Sequence, residues 1–395
     1  MLLARMKPTF QLRVNRRSHK AALLGMKELG LWDGSFNGRE STLQQLSPYI
    51  GKLKSGIVRA LIEYFTRPGH WVCDPFSGSG VVLLEALLAG RKAAVNDLSI
   101  YAYCVTKGKA EAPTSCEEAI RRTEKMLRYV ARHWKYQDLR RIDRWVRDFF
   151  HPKTLKEILA AFEYCRRRKE RFLAACLCGI LHHQRPGFLS YPASHMVPYL
   201  RPLLFPQKRY PELYSYRPLA DRIRKKIKRV YRRSQIEQAW TQADYDVRMN
   251  DARTLPFQEA SMDFILTSPP YYGALDYARD NRLRLWFLGE RNWRHLDRRL
   301  TAKDRIYEEH MEHCLREMHR ILKPGRYCVL IVGEVQRNGK TRDTATVLAR
   351  LAHKATGNGL ALDCTVEDEI PDIRRSRRGT RTTKMEKILV FKRNC

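Results

Sequence analysis

The chain has 395 residues, 44% of them apolar and 10% aromatic, with 75 Lys+Arg against 42 Asp+Glu for a net charge of +33. This composition excludes a disordered or collagen-like chain and is ample for a buried core. The charge excess describes a surface that attracts polyanions, nucleic acid first among them.

The ten cysteines include no C-x-x-C pair; the nearest two, Cys176 and Cys178, are separated by one residue. A zinc ribbon and a dithiol redox site are thereby excluded, and the His182-His183 pair has no metal-ligand spacing, so no metal is expected. The opening residues lack the apolar stretch of a signal peptide, and the longest apolar run, Phe172 to Leu181, is half a membrane span. A soluble protein of a reducing compartment, cytoplasmic and nucleoid-associated, with no membrane partner, is expected.

In chain order, a basic, turn-rich arm leads to a helical pattern over Lys54 to Phe65. Trp71-Val72-Cys73 reads as a short buried strand, Val81 to Ala89 as a helix apolar all round, and Ala93-Ala94-Val95 as the next strand. This is the β-α-β rhythm of a parallel sheet covered by helices. Residues 116–240 differ, with Arg/Lys-rich helical patterns and almost no alternation. Over 121–240 there are 30 Lys+Arg and 10 Asp+Glu, so this stretch contributes +20 of the +33. Within it, Arg222 to Val230 predicts a basic helix with an apolar stripe at Ile223, Ile227 and Val230, and Tyr191 to Pro218 predicts a Pro/Tyr-rich loop. Beyond 241 the α/β rhythm returns: a strand at Met262 to Leu266, a helix at Ile306 to Leu322, a strand at Cys328 to Val332, and two late strands at Ala361 to Val366 and Lys387 to Phe391. The expected organisation is an α/β catalytic domain formed by 1–115 and 241–395, interrupted by a helical insertion at 116–240.

Two loops carry chemistry. Asp74-Pro75-Phe76-Ser77-Gly78-Ser79-Gly80 lies between a strand and a helix, where glycines let the backbone approach a ligand and turn sharply. Asp97 ends the following strand, where a carboxylate accepts hydrogen bonds from ribose hydroxyls. The missing third glycine and the Asp-Pro-Phe in front argue against a dinucleotide. The second loop, Thr267-Ser268-Pro269-Pro270-Tyr271, sits at a strand's carboxyl end. Its prolines remove two amide donors, so the carbonyls of Ser268 and Pro269 can face a ligand, and Tyr271 offers a ring on which an extruded base can stack.

The first loop strongly resembles motif I of the S-adenosylmethionine-dependent amino-DNA methyltransferases, D-P-F-x-G-S-G, and Ser268-Pro269-Pro270-Tyr271 resembles their motif IV. Ser47-Pro48-Tyr49-Ile50-Gly51-Lys52 is similar to motif X, and Asn250-Asp251-Ala252 matches the segment that meets the cofactor's adenine. Leu322-Lys323-Pro324-Gly325 resembles a later structural loop. The resemblance covers roughly 40–110 and 245–395. It implies a Rossmann-like methyltransferase sheet, mostly parallel with an antiparallel strand near the C-terminus. It further implies S-adenosylmethionine bound by Tyr49, Lys52, Asp74, Phe76, Ser77, Gly78, Gly80, Asp97, Leu98, Asp251 and Ala252, with chemistry at Ser268, Pro269, Pro270 and Tyr271.

In that family Ser at the first place of motif IV tends to accompany cytosine N4 and Asp adenine N6, so cytosine-N4 methylation of a flipped base is expected. Adenine N6, or an RNA base amine such as guanine N2, is the alternative. The order of motifs (X, I, basic stretch, IV) differs from that of many Ser-Pro-Pro-Tyr enzymes. Cytosine C5 chemistry needs a covalent cysteine nucleophile, usually preceded by proline, and none of the ten follows a proline.

The insertion is then the expected target-recognition region, with double-stranded DNA, or RNA as the alternative, the expected partner. A cognate restriction endonuclease is a further expected associate. The densest cationic patches are Arg166, Arg167, Arg168; Lys225, Lys226; and Arg374, Arg375, Arg377, Arg378, with Tyr191, Ser194, His195, Tyr199 and Tyr210 in the intervening loop.

Overall fold

A computed structural model describes residues 18–32, 40–49, 51–182, 188–191, 201–234, 236, 240–270, 277–300, 306–333, 335–337, 340–369 and 385–395. In chain order, helices α1 (His19–Glu28) and α2 (Ser55–Phe65) precede strand β1 (Trp71–Asp74). Helix α3 (Val81–Leu88), strand β2 (Lys92–Asn96) and helix α4 (Ile100–Ala110) follow. The next long elements are all helical: α5 (Cys116–His133), α6 (Pro152–Arg168), α7 (Arg171–Leu181) and α8 (Leu219–Val230). Strands β3 (Tyr245–Arg248) and β4 (Met262–Thr267) lead to helix α9 (Tyr307–Ile321) and strand β5 (Leu322–Gly333). Helix α10 (Thr344–Thr356) and strands β6 (Leu360–Glu369) and β7 (Met385–Arg393) close the chain.

The seven strands form one sheet in the order β3-β2-β1-β4-β5-β7-β6. The first five are parallel, and β7 lies antiparallel between β5 and β6. The chain enters the sheet at β1, builds outward through β2 and β3, then returns to β1's other side for β4 and β5. The seam between β1 and β4 is therefore a topological switch point, where connections leave in opposite directions and open a crevice at the carboxyl ends.

Both faces of the sheet are covered, which explains why the central strands read as continuous apolar runs. Successive residues point to opposite faces. Val72, Phe264, Leu266, Val329, Ile331, Ile388 and Val390 pack with α1, α2 and α3. Their neighbours Cys73, Ile265, Cys328, Leu330, Val332, Leu389 and Phe391 pack with α9 and α10. A third cluster unites α5 to α8 with Leu43, Leu46, Tyr101 and Val105 on one side and Ala278, Leu283, Leu285 and Leu296 on the other. The apolar run at 172–181 is the centre of this cluster, every residue of it buried in α7. Among the described residues no helix is long and apolar enough to cross a membrane.

Most strand and helix boundaries read from sequence lie close to those observed, but the strand expected to begin at Cys328 begins at Leu322. The loop expected at Tyr191 to Pro218 is partly helical: Arg201–Leu204 and the 3-10 turn Pro211–Tyr214 occur within it. Lys323-Pro324-Gly325 belongs to the start of β5, where Gly325 adopts φ 72°.

Candidate active site

The crevice at the switch point is a cavity of about 1000 Å³, counting its mouth. Asp74, Phe76, Ser77, Gly78 and Ser79 line it from the β1–α3 loop, and Asp97, Leu98 and Ser99 from the end of β2. Asp251 and Ala252 line it from the turn after β3, Ser268 and Pro270 from the end of β4, and Tyr49 and Lys52 from the segment before α2. Segments widely separated in sequence thus converge on one cavity.

The convergence is held by hydrogen bonds. Thr267 Oγ1, on the last residue of β4, donates to Asp74 Oδ1 at 2.6 Å. Asp74 also accepts from the Phe76 amide at 3.1 Å. Burial pushes the Asp74 carboxyl up to about 7 against the downward pull of those two donors, with the Asp97 charge adding to the rise.

Asp97 accepts the Gly78 amide on Oδ2 at 2.8 Å and the Ser99 amide on Oδ1 at 2.9 Å, which ties its strand to the glycine loop. Burial raises it to about 6, moderated by those same amides. An ionised carboxylate has roughly four lone-pair directions. The directions that these amides leave open face the cavity, so the residue fits the hydroxyls of a ribose.

Asn96, one residue earlier and fully buried, sews the two flanking loops together. Its Oδ1 accepts the Asn250 amide at 3.0 Å, its Nδ2 donates to the Asn250 carbonyl at 2.9 Å, and its carbonyl accepts the Ser77 amide at 2.9 Å.

Asp251 lines the cavity with a carboxylate already gripped by Arg253 at 2.9 and 2.6 Å. Burial opposes its charge, yet the Arg253 bonds hold it below the usual carboxylate range. Tyr49 stacks on Tyr101 (centroids 5.6 Å apart, 18° between planes) and closes over Gly78, where an added Cβ would meet Tyr49 Cε1 at 3.1 Å. Tyr101 in turn anchors the preceding turn through hydrogen bonds with Ser47 and the Pro48 carbonyl.

Two residues expected at the cofactor or the substrate do not line the cavity. Gly80, at φ 71°, turns the chain into α3 where a Cβ would meet Thr106 Oγ1 at 2.8 Å and Cα at 3.1 Å; its contribution is backbone geometry. Pro269 is buried at the strand end while its neighbours Ser268 and Pro270 reach the cavity. Lys52 lines the cavity, but its ammonium is engaged with Glu40 Oε1 and the Gln44 carbonyl, both at 2.8 Å. Tyr271 lies outside the described residues, as do Ser194, His195, Tyr199 and Arg374, Arg375, Arg377 and Arg378.

The cavity has further walls that the motifs did not predict: Tyr277, Ala278, Asn281, Leu296 and Leu300. They follow the Pro-Pro loop within about thirty residues, and an apolar wall opposite the strand-end loops is what a planar ring requires.

Among the cationic candidates, Lys226 is a correction. It is buried, its Nζ donates to the Gln45 carbonyl at 2.7 Å, and burial pulls its ammonium down to about 8. It packs α8 against the Gln45 segment and cannot meet a phosphate. Lys225 beside it is exposed. Arg166 and Arg168 are exposed, while Arg167 pairs with Glu163 at 2.6 Å. Tyr191 is buried, its ring against Tyr214, and Tyr210 is partly buried beside Phe205.

Residues 49–177 match the family model of the D12 class N6 adenine-specific DNA methyltransferases, about a third of the chain. No curated protein matches in sequence. Similar solved structures include TrmN from Thermus thermophilus: 13% identity, TM-score 0.33, 89% of this chain and 52% of that one. A SAM-dependent methyltransferase from Methanosarcina mazei has 11% identity and a TM-score of 0.36, over 85% and 97%. A candidate DNA modification methylase, also from Thermus thermophilus and complexed with S-adenosyl-L-methionine, has 21% identity and a TM-score of 0.24, over 37% and 52%. This chain spans about half the length of the first and third. The seven-stranded sheet, five parallel strands with an antiparallel strand near the C-terminus, is the Rossmann-like arrangement expected from the sequence, and the residues lining its crevice fit S-adenosylmethionine.

Proposed function

We propose that the protein is a DNA methyltransferase that moves a methyl group from S-adenosylmethionine to the N6 amine of an adenine rotated out of the duplex. The observation that carries this reading is the Thr267–Asp74 hydrogen bond, which holds the glycine loop and the Ser-Pro-Pro loop on one cavity. Adenine is preferred because the matching family segment, residues 49–177, is that of N6 adenine-specific enzymes. Ser268 in the first place of the Pro-Pro loop is the one feature that favours cytosine N4, which stands as the second reading.

The bound cofactor supplies a methyl group already activated by its sulfonium. Asp97 would hold the ribose hydroxyls, and the glycine loop about Gly78 with Tyr49 would hold the methionine portion. Leu98 and Ala252 would flank the cofactor's adenine. At the target amine, Ser268 and the carbonyls of this rigid loop accept the amine hydrogens, which turns the nitrogen lone pair toward the methyl. Tyr277, Leu296 and Leu300 offer the apolar wall against which an extruded base can lie, repaying part of an unstacking cost of a few kcal/mol. The surplus proton leaves to water, and no covalent intermediate is involved. A restriction endonuclease partner belongs to the same proposal.

The test is nucleoside mass spectrometry of DNA methylated by the purified protein in the presence of S-adenosylmethionine. N6-methyladenine is the expected product. N4-methylcytosine would replace it with the second reading, and methyl incorporation confined to RNA would overturn both.

A further inference from the structure

On α5 the buried residues Ala119, Thr123, Met126 and Val130 recur at intervals of four, three and four, the stripe that faces the third core cluster. Two positions further along, about 200° around the helix at ~100° per residue, the same intervals bring Arg121, Lys125, Arg128 and Arg132. These four, with Arg168 from the end of α6, line a second groove of about 1310 Å³, counting its mouth, that also holds the rings of Tyr129, His133 and Tyr164 and the charges of Arg122, Glu118 and Glu170.

All five cations are exposed, and none has a carboxylate within ion-pair distance among the described residues. Their neighbours are spent differently. Arg122 pairs with Glu118 at 2.6 Å and lies 3.8 Å from Glu170, Arg167 pairs with Glu163, and Arg224 pairs with Glu124 at 2.7 Å. Glu118, Glu163, Glu124 and Glu170 thus make their ion contacts with residues other than the stripe. A row of like charges held along one helix with no carboxylate in direct contact repels itself, and is stabilised by an external polyanion.

The length of the row suits a phosphate backbone. From Arg121 to Arg132 the helix rises about 16 Å, the axial length of roughly five base pairs of duplex at ~3.4 Å each. The rings in the groove are already occupied with one another. Tyr129 stacks on His133 at 3.8 Å and 9°, and Tyr164 lies 5.5 Å from Tyr129. They form a packed wall rather than a slot for a free base, which favours a phosphate backbone over an unstacked nucleotide.

We infer that the α5–α6 groove is a docking track for the phosphate backbone of duplex DNA, separate from the crevice where methyl transfer is proposed. The inference rests on the DNA reading above and assigns that substrate a second binding surface. The track contributes sequence-independent affinity and orientation, and leaves cofactor binding untouched.

The test uses the full chain and a fluorescent 20-base-pair duplex, with anisotropy followed from 50 to 200 mM salt. The triple variant Lys125→Gln, Arg128→Gln, Arg132→Gln is expected to bind at least tenfold more weakly at low salt. Its plot of log K against log salt should be shallower by about 2 to 3, at ~0.9 for each phosphate no longer neutralised. The charge-preserving variant Lys125→Arg, Arg128→Lys, Arg132→Lys should retain the wild-type slope. A control lacking three exposed cations of α9 and α10 (Arg316→Gln, Arg350→Gln, Lys354→Gln) should stay near the wild type. Calorimetric titration of S-adenosylmethionine into the groove variant verifies that the fold is intact. If the wild type binds the duplex and the groove variant keeps both affinity and slope, the track is refuted while the DNA reading stands. If the wild type ignores the duplex and binds only structured RNA, both are refuted.

Discussion

Thr267 Oγ1 and Asp74 Oδ1 meet at 2.6 Å across the seam between β4 and β1, both side chains buried. One residue precedes the Pro-Pro loop and the other opens the glycine loop, so a single hydrogen bond sets the distance between the two. Thr267→Val keeps the side chain's shape and removes the donor. Losing one of the two hydrogen bonds to this buried oxygen costs about 0.5–1.5 kcal/mol, so the variant should unfold at lower urea. It should also bind S-adenosylmethionine with a pH midpoint moved upward, because that bond is one of the two that hold the Asp74 carboxyl down. An unmoved midpoint would separate Asp74 from the pH response.

The two raised carboxyls make opposite statements about stability and binding. Asp74 at about 7 and Asp97 at about 6 both lie above the ordinary aspartate value of 3.8. The folded chain therefore binds protons more tightly than the unfolded chain. These groups' contribution to stability is full below pH ~4 and is lost as pH rises through about 6 to 7. Cofactor affinity should run the other way, since Asp97 must be ionised to accept two ribose hydroxyls. Affinity is expected to fall as pH drops from 8 to 5.5, and Asp97→Asn should bind weakly at every pH, keeping only the part of the slope that Asp74 supplies. Titration calorimetry across this range is the measurement.

Gly80→Ala places a Cβ at φ 71° against the Cα of Thr106. Backbone strain of this kind costs ~1–3 kcal/mol, and thermal unfolding should report it. Because the obstruction includes backbone, Thr106→Ala should fail to rescue it. Full rescue would mean that the hydroxyl alone was the obstacle.

Lys226→Met should leave DNA affinity unchanged, in contrast to the exposed Lys225. The ammonium's lowered value, about 8, means the fold prefers it neutral, so stability should increase as pH rises from 8 toward 10.5 in the wild type. The methionine variant should lack that increase in urea melts at pH 7.5 and 10.

The parallel core was legible because strands buried on both faces leave unbroken apolar runs, and the strand-end loops because glycines and prolines restrict what a backbone can do. Lys226 was misread although the sequence held the signal. Ile223, Lys226, Ile227 and Val230 share the spacing of one helix face, and the apolar stripe at 223, 227 and 230 already passes through position 226. Thr267 and Asn96 were less visible, because their importance lies in partners 193 and 154 residues away. The far wall at Tyr277 to Leu300 follows from how the chain folds back over the sheet, which no local pattern encodes. The stripe at Arg121 to Arg132 has helical periodicity, but only the paired state of its neighbours distinguishes it from an ordinary solvated face.

The third cluster has a bearing on how this protein can be taken apart. Leu46, Tyr101 and Val105 share apolar contacts with α5 to α8 and with Leu283, Leu285 and Leu296. Excising 116–230 would strip solvent-averse surface bare beside the crevice itself, so neither piece should survive expression alone. A chimera that transplants this helical portion from a relative must carry matching side chains at the graft boundary on both parts. Any change in what the protein recognises is then made by altering side chains on a fixed frame, and not by exchanging the frame.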